Sequence, residues 1–388
     1  MNIQIRYQRW LRIFLLAAAF TWSCSGGINA GRSNQPQIQS LEQGSAAGFR
    51  RAKPDYSWDF PRDFGPHPEF QTEWWYYTGT LEAVQGQQFG YQLTFFRRGL
   101  KPPDQLASRE SSWAADQVYM GHFALTDVES GSHTSFERFS RGAAGLAGAE
   151  SVPFQVWLED WSISGLDSGG YRLQAKQDGM GVDLILEEQK GVVFHGEDGY
   201  SRKGPDPGNA SYYFSQTRLE ASGTVTAAGE TFPVRGLSWM DHEFSTSALS
   251  PGQVGWDWFS IQLDQGTDLM VFQIRRSDGS VDPYSSGTLI DPEGKTEALS
   301  REDFQIQVQD TWRSPRSDAV YPSSWRVNLP GQDLILEIQP LLADQEMDVS
   351  YIYWEGAVQV TGIYQGQPVS GLGYVELTGY AASMEGEF

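Results

Sequence analysis

The densest grouping of potentially reactive side chains is Gly236–Leu263, which reads GLSWMDHEFSTSALSPGQVGWDWFSIQL. Asp241, His242, Glu243 and Asp257 stand there among Trp239, Trp256 and Trp258. Carboxylates and imidazoles set against large apolar side chains are where pKa values move and where proton-transfer sites are built. If Trp256–Leu263 is a strand, Asp257, Phe259, Ile261 and Leu263 share one face, and Trp256, Trp258, Ser260 and Gln262 the other. The first face is almost wholly apolar, so Asp257 is expected to point inward. An unpaired carboxylate in such a place is desolvated, its pKa rises, and it stays protonated near neutrality. A protonated acid beside aromatic faces has what protonation of an unactivated alkene requires. The rings hold the resulting carbocation by cation–π attraction, worth about 2 kcal/mol or more when desolvated. The alternative for Asp257 is a strand-end acid bonded to a turn. On the preceding strand His242 faces away from Asp241 and Glu243, beside Met240 and Phe244. It is either a satisfied core histidine or the group that positions water.

Further candidates lie upstream. Glu73 opens the run Glu73-Trp74-Trp75-Tyr76-Tyr77 as a buried acid or a hydrogen bonder at a barrel mouth, with Trp75 and Tyr77 as ligand-facing rings. His122, in Gly121-His122-Phe123-Ala124-Leu125, is a second imidazole candidate, and His67, between prolines, reads as a loop residue. The histidines at 67, 122, 133, 195 and 242 show no paired metal spacing, and His242-Glu243 lacks the second histidine of a zinc-protease helix. There is no Gly-x-Ser-x-Gly elbow, phosphate loop or dinucleotide fingerprint, so no metal and no nucleotide or redox cofactor is expected.

The elements that must position these groups are strands. From Trp58 onward short alternating runs such as Tyr91–Phe96, Val182–Glu188, Leu269–Arg275 and Leu334–Gln339 recur between Gly, Asp, Asn and Pro. Helical pieces are expected only near Gln105–Ala115. Laid side by side, the two halves repeat. Trp74–Arg98 matches Trp256–Arg276, Val182–Glu187 matches Gln332–Glu337, and Pro233–Asp241 matches Pro368–Glu376. The reading is all-β, with two tandem domains over 55–250 and 251–388. Asp241, His242 and Glu243 meet Glu376, Leu377 and Thr378 in the second copy, while Glu73 and Trp75 meet Gly255 and Asp257. Polar groups absent from the duplicate are not needed by the fold as such, which makes them functional candidates.

With 388 residues, 39% hydrophobic and 13% aromatic, the chain can bury a sizeable core. A formal net charge of −21 and the absence of a basic stripe argue against nucleic acid as a partner. Arg6, Arg9 and Arg12 precede the apolar run Ile13–Trp22, which is too short to span a bilayer. Residues 1–24 therefore read as an export segment ending at Cys24, the only cysteine. That run resembles a bacterial lipobox, which implies lipidation of Cys24, anchoring to an inner or outer membrane at the periplasmic face, and no internal disulfide. An ordinary signal peptide cut nearby is the alternative. Residues 25–54, rich in Gly, Ser, Gln and Asn, read as a tether.

The stretches His67–Gly79, Gly121–Phe123, Ser238–Glu243 and Gly255–Trp258 together resemble the AttH-like and carotenoid 1,2-hydratase family. The likeness runs from about Asp55 to the C-terminus. It implies two tandem lipocalin-like antiparallel β-barrels packed together, in keeping with the repeat. It also implies metal-free and nucleotide-free addition of water to a double bond, with Asp241 and His242 catalytic and Trp239 beside them. Asp257 enters from alternation alone. Glu73, Trp75, Tyr77, His122, Trp239, Glu243, Trp256 and Trp258 are the expected contacts to a long apolar, isoprenoid- or lipid-like ligand. The alternative is a non-catalytic lipid carrier or an accessory lipoprotein of an envelope ABC transporter, which needs only the cavity.

Overall fold

The computed structural model describes residues 46–105, 115–247 and 249–385, almost all of them in two antiparallel sheets. The first sheet holds β1 (Thr72–Ala83), β2 (Gln88–Gly99), β3 (Gln117–Asp127), β4 (Ser132–Arg141), β5 (Ala147–Ser151), β6 (Phe154–Leu158), β7 (Trp161–Gly165), β8 (Tyr171–Gln177), β9 (Met180–Glu188), β10 (Val193–Phe194), β11 (Tyr200–Arg202), β12 (Ala210–Ala227) and β13 (Glu230–Ser245). Their order is β4-β3-β2-β1-β13-β12-β9-β8-β7-β6-β5, with β10 and β11 on β12. β3 and β4 come back against β5 and β6, so the sheet curls into a nearly closed barrel. The second sheet holds β14 (Gln253–Leu263), β15 (Asp268–Arg276), β16 (Ser286–Ile290), β17 (Thr296–Leu299), β18 (Gln305–Arg313), β19 (Val320–Leu329), β20 (Leu334–Pro340), β21 (Glu346–Met347), β22 (Tyr353–Tyr364) and β23 (Gln367–Leu377). It runs β17-β16-β15-β14-β23-β22-β20-β19-β18, with β21 on β22. No pairing joins β17 to β18 among the described residues, which leaves a half-barrel.

The two sheets are built alike. β1 lies between β2 and β13, and β14 lies between β15 and β23. Tyr76 faces Asp241 across its ladder as Trp258 faces Glu376, and Trp75 faces His242 as Asp257 faces Leu377. The hairpins β12–β13 and β22–β23 both close on two residues of positive φ, Ala228-Gly229 (50° and 84°) and Gln365-Gly366 (49° and 76°). That is the type I′ geometry whose twist matches the flanking strands.

Alternation sorts the side chains into three layers. Trp75, Tyr77, Leu81, Phe89 and Tyr91 fill the first barrel, and Phe259, Ile261, Leu263, Trp325 and Leu336 fill the second. The opposite faces of β1, β13, β14 and β23 are not solvated. Tyr76, Tyr213, Trp239, Trp258, Phe272 and Tyr374 form a third cluster where one sheet lies on the other. Both faces of these central strands are therefore buried. The sheets approach closely at Gly90, where an added Cβ would stand 2.6 Å from that of Ala357. At the seam's edge Asp268 takes Lys190 Nζ at 2.7 Å and Arg218 at 2.6 Å, joining the first half to the start of β15.

Residues 46–54, expected as tether, pack on the first barrel. Phe49 and Ala52 are buried, Ala52 within a cluster with Phe70, Tyr212 and Phe244. Polar composition around them masked these apolar contacts. Pro103–Gln105 forms a 3-10 turn, while the rest of the expected helical stretch, the export segment, Cys24 and the tether up to residue 45 lie outside the described residues.

Candidate active site

A cavity of about 150 Å³ opens between the two sheets. Its walls are rings, chiefly Trp74, Tyr76, Tyr213, Trp256, Trp258 and Phe272. Four carboxylates share it, Asp241 and Glu243 from β13, Glu355 from β22 and Glu376 from β23. These positions follow from period-2 geometry: odd-numbered residues at the end of β13 face the seam, and even-numbered ones face the barrel core.

Asp241 is the best-supported acid. Its Oδ2 accepts from the Tyr213 hydroxyl at 2.5 Å, and its Oδ1 accepts from Trp239 Nε1 at 2.6 Å and from Ser215 Oγ. Burial outweighs these three bonds and lifts the carboxyl to about 7. Glu376 reaches about 7 by the same cause, with the charges of Asp241 and Glu243 adding to it and a bond from Trp256 Nε1 (2.8 Å) opposing it. Glu355, its cross-strand partner, is pushed well above the usual carboxylate range by burial and by Glu376, and accepts from the Tyr76 hydroxyl at 2.9 Å. The halves thus meet through repeat-equivalent pairs, Tyr76 with Asp241 and Trp258 with Glu376. Trp258 also donates to Tyr213 at 3.0 Å. Lys203 lies 4.2 Å over the Phe272 ring and 3.4 Å from Glu243.

The expected catalytic set divides. Asp241 faces the cavity, but His242 and Asp257 do not. His242 is enclosed inside the first barrel, 3.2 Å from Glu73 and ringed by Trp75, Phe214 and Phe244. Burial holds its pKa below the ordinary value, and no water-positioning role toward the cavity is open to it. Asp257 points inward, as alternation predicts, but it is not unpaired. It accepts from Arg275 Nε (2.9 Å), Gln273 (2.9 Å) and Tyr380 (3.0 Å), a structural network away from the cavity.

The expected ligand contacts divide in the same way. His122, Glu243, Trp256 and Trp258 line the cavity, and Trp239 supports Asp241 from behind. Glu73, Trp75 and Tyr77 lie in the barrel interior. His67 lies in a loop, as expected, but is buried and bonded there. Its ring nitrogens lie 2.7 Å from Glu73 and 3.4 Å from Asp63, and Glu73 also accepts from Arg97 at 2.7 Å. Ligand atoms of His67, Glu73 and His242 fall within 4.8 Å of one another, a convergence the spacing did not foretell. The Arg97 guanidinium on Glu73 and the second carboxylate on His67 make this a balanced ion network rather than an electron-rich metal cradle.

Sequence reasoning missed Tyr213, Ser215, Lys203, Tyr353 and Glu355. One signal was available for two of them: Tyr351-Ile352-Tyr353-Trp354-Glu355 repeats the aromatic-plus-acid composition of Glu73–Tyr77.

A family model for AttH-like proteins matches residues 51–380. The chain belongs to the AttH-like family. A crystal structure assigned to AttH of Nitrosomonas europaea is 38% identical with TM-score 0.76, covering 86% of this chain and 100% of that one. Kievitone hydratase of Fusarium solani subsp. phaseoli is 22% identical over 239 residues, 59% of this AttH-like chain and 66% of the hydratase, just under two thirds of that enzyme. The kievitone hydratase structure from Nectria haematococca shares the fold with TM-score 0.64 at 14% identity, covering 86% of this chain and 97% of that one.

Proposed function

We propose that this AttH-like protein is a hydro-lyase that adds water across the double bond of an apolar, isoprenoid- or lipid-like ligand held between the two sheets. The observation that carries this reading is Asp241, a carboxylic acid lifted to about 7 in a ring-lined cavity, with Glu376 lifted alike beside it. The relationship to kievitone hydratase supports it. An engineered apolar cavity of about 150 Å³ takes up benzene, so a space of this size suits the reacting end of a prenyl group.

Asp241 is suited to giving up its proton in the transition state. Burial keeps it protonated near neutrality, while Tyr213, Ser215 and Trp239 stand ready to stabilise the carboxylate left behind. Proton transfer to the less substituted alkene carbon leaves a tertiary cation. The faces of Trp256, Trp258 and Tyr76 hold that cation, worth about 2 kcal/mol or more in a desolvated site. Water then adds to the cationic carbon.

Asp241→Asn keeps the shape and cannot donate the proton, so turnover of kievitone, or of an acyclic isoprenoid alkene, is expected to fall by about 10²- to 10⁴-fold. In the wild-type protein the acid must be protonated, so kcat is expected to decline as pH rises through about 7. Product formation in H₂¹⁸O reads both. Unchanged turnover in the Asn variant removes Asp241 from the chemistry. Tight co-purification of one unmodified lipid, without turnover of any alkene, favours the carrier instead.

A further inference from the structure

Hydration needs a group to take a proton from the attacking water, and Asp241 of β13 and Glu376 of β23 do not supply one while protonated. The cavity has a second polar wall. His122 of β3 and Tyr353 of β22 line it from opposite halves of the molecule. His122 Nδ1 lies 2.7 Å from the Tyr353 hydroxyl, and its Nε2 lies 3.1 Å from Glu137 Oε1. Glu137 accepts in turn from the Ser350 amide (3.1 Å) and from Ser350 Oγ (2.5 Å). Burial works to raise the Glu137 carboxyl, but the bond from His122, the charge His122 carries when protonated and the two bonds from Ser350 outweigh it and hold it low, so it is ionised.

These contacts order the protons. An ionised carboxylate only accepts, so His122 Nε2 carries a hydrogen toward Glu137. A neutral imidazole protonated there has a bare Nδ1, which accepts the one hydrogen of Tyr353. The phenol oxygen is then left with lone pairs only, on a residue that lines the cavity.

We propose that Tyr353, relayed through His122 to Glu137, is the catalytic base of this site and takes a proton from the water or hydroxyl that attacks. The assignment rests on the hydration reading for its reaction, not for its geometry. As the water oxygen bonds to the cationic carbon, one of its O–H bonds breaks and that proton passes to the Tyr353 oxygen. The phenolic proton moves to His122 Nδ1, and the imidazolium pairs with the Glu137 carboxylate. No free tyrosinate forms, which matters because burial and then the charges of Glu355, Glu376 and Glu137 push the Tyr353 hydroxyl well above its ordinary range. Asp241 has lost one proton to carbon and His122 has gained one from water. Transfer between them through solvent restores the resting state, with nothing oxidised or reduced. The order of groups is that of a hydroxyl–histidine–carboxylate triad, here assembled only when the two halves pack together.

Two measurements on the full chain test this. The first needs no substrate. Long-range ¹H–¹⁵N correlation of ¹⁵N-histidine protein is expected to show His122 as the Nε2–H tautomer with an accepting Nδ1. An Nδ1–H tautomer or a resting imidazolium overturns the proposal, because Tyr353 then has no acceptor behind it. In the second, Tyr353→Phe, checked by thermal melting, is expected to lower kcat on kievitone by about 100-fold or more, with KM nearly unchanged. Wild-type kcat in a folded Phe variant overturns the base assignment. A wild-type protein inert toward kievitone and acyclic isoprenoid alkenes defeats the hydration reading instead, and the tautomer still decides whether Tyr353 is poised as a base.

Discussion

Asp241 and Asp257 are both buried aspartates in aromatic company, yet one holds a proton near neutrality and the other is tied to a guanidinium. The difference lies in what stands at hydrogen-bond distance. Asp257 meets Arg275, Gln273 and Tyr380. Asp241 meets only neutral donors and other acids, so desolvation prevails. This has a consequence for stability. The folded protein binds more protons at Asp241 and Glu376 than the unfolded chain does between about pH 4 and about pH 7. Their contribution is fully present below the unfolded pKa and is lost as pH rises through about 7. Urea unfolding of wild type and Asp241→Asn at about pH 5 and about pH 8 is expected to show wild type losing stability, relative to the variant, on going to the higher pH. A pH-independent gap between them contradicts the raised carboxyl. Glu73 works in the opposite direction: burial raises it, but Arg97, His242 and His67 hold it well below the usual range, so its contribution is lost on acidification instead.

At the scale of strands, duplication proved informative in an unexpected sense. Polar groups present in one copy only, such as Glu73, His242 and Asp257, are functional candidates by the repeat alone. They occupy barrel interiors, where each half has its own packing solution. The acid retained in both copies, Asp241 and Glu376, faces the cavity. A face shared by two packed copies keeps a common chemistry because each supplies half of one enclosure, whereas the interiors are free to diverge. That shared face depends on close backbone approach, as where β2 meets β22 at Gly90. Gly90→Val places methyl groups where Ala357 already stands. It is expected to cost about 1–3 kcal/mol, read as a lowered melting temperature. Unaltered melting shows the halves to be more loosely apposed than the backbone spacing implies.

For the whole molecule, the question is what holds the halves in the one register that completes the site. Aromatic side chains pack across the seam, and the Asp268 cluster adds direction. Asp268 is fully buried and takes Lys190, Arg218 and the Thr217 hydroxyl (2.9 Å). Removing one partner strands two cations, so Asp268→Ala is expected to destabilise by about 3–5 kcal/mol. Chemical denaturation measures this; a loss below about 1 kcal/mol shows that water reaches Lys190 and Arg218 and that the clamp is superficial.

The all-β class, the doubling of the chain and the strand faces were legible in the linear order of residues, because period-2 alternation and internal repetition are local properties. Which strand face meets the ligand was not. Alternation separates Asp257 from Trp258 and Asp241 from His242 but does not rank the two faces, and in β1, β13, β14 and β23 both are buried. Nor did the sequence bring His122 to Tyr353 or Tyr213 to Trp258, since those pairs belong to different sheets and meet only through packing. A residue's face is decided by its neighbours in the chain. Its partners, and with them its charge and its chemistry, are decided by whatever the rest of the molecule places opposite.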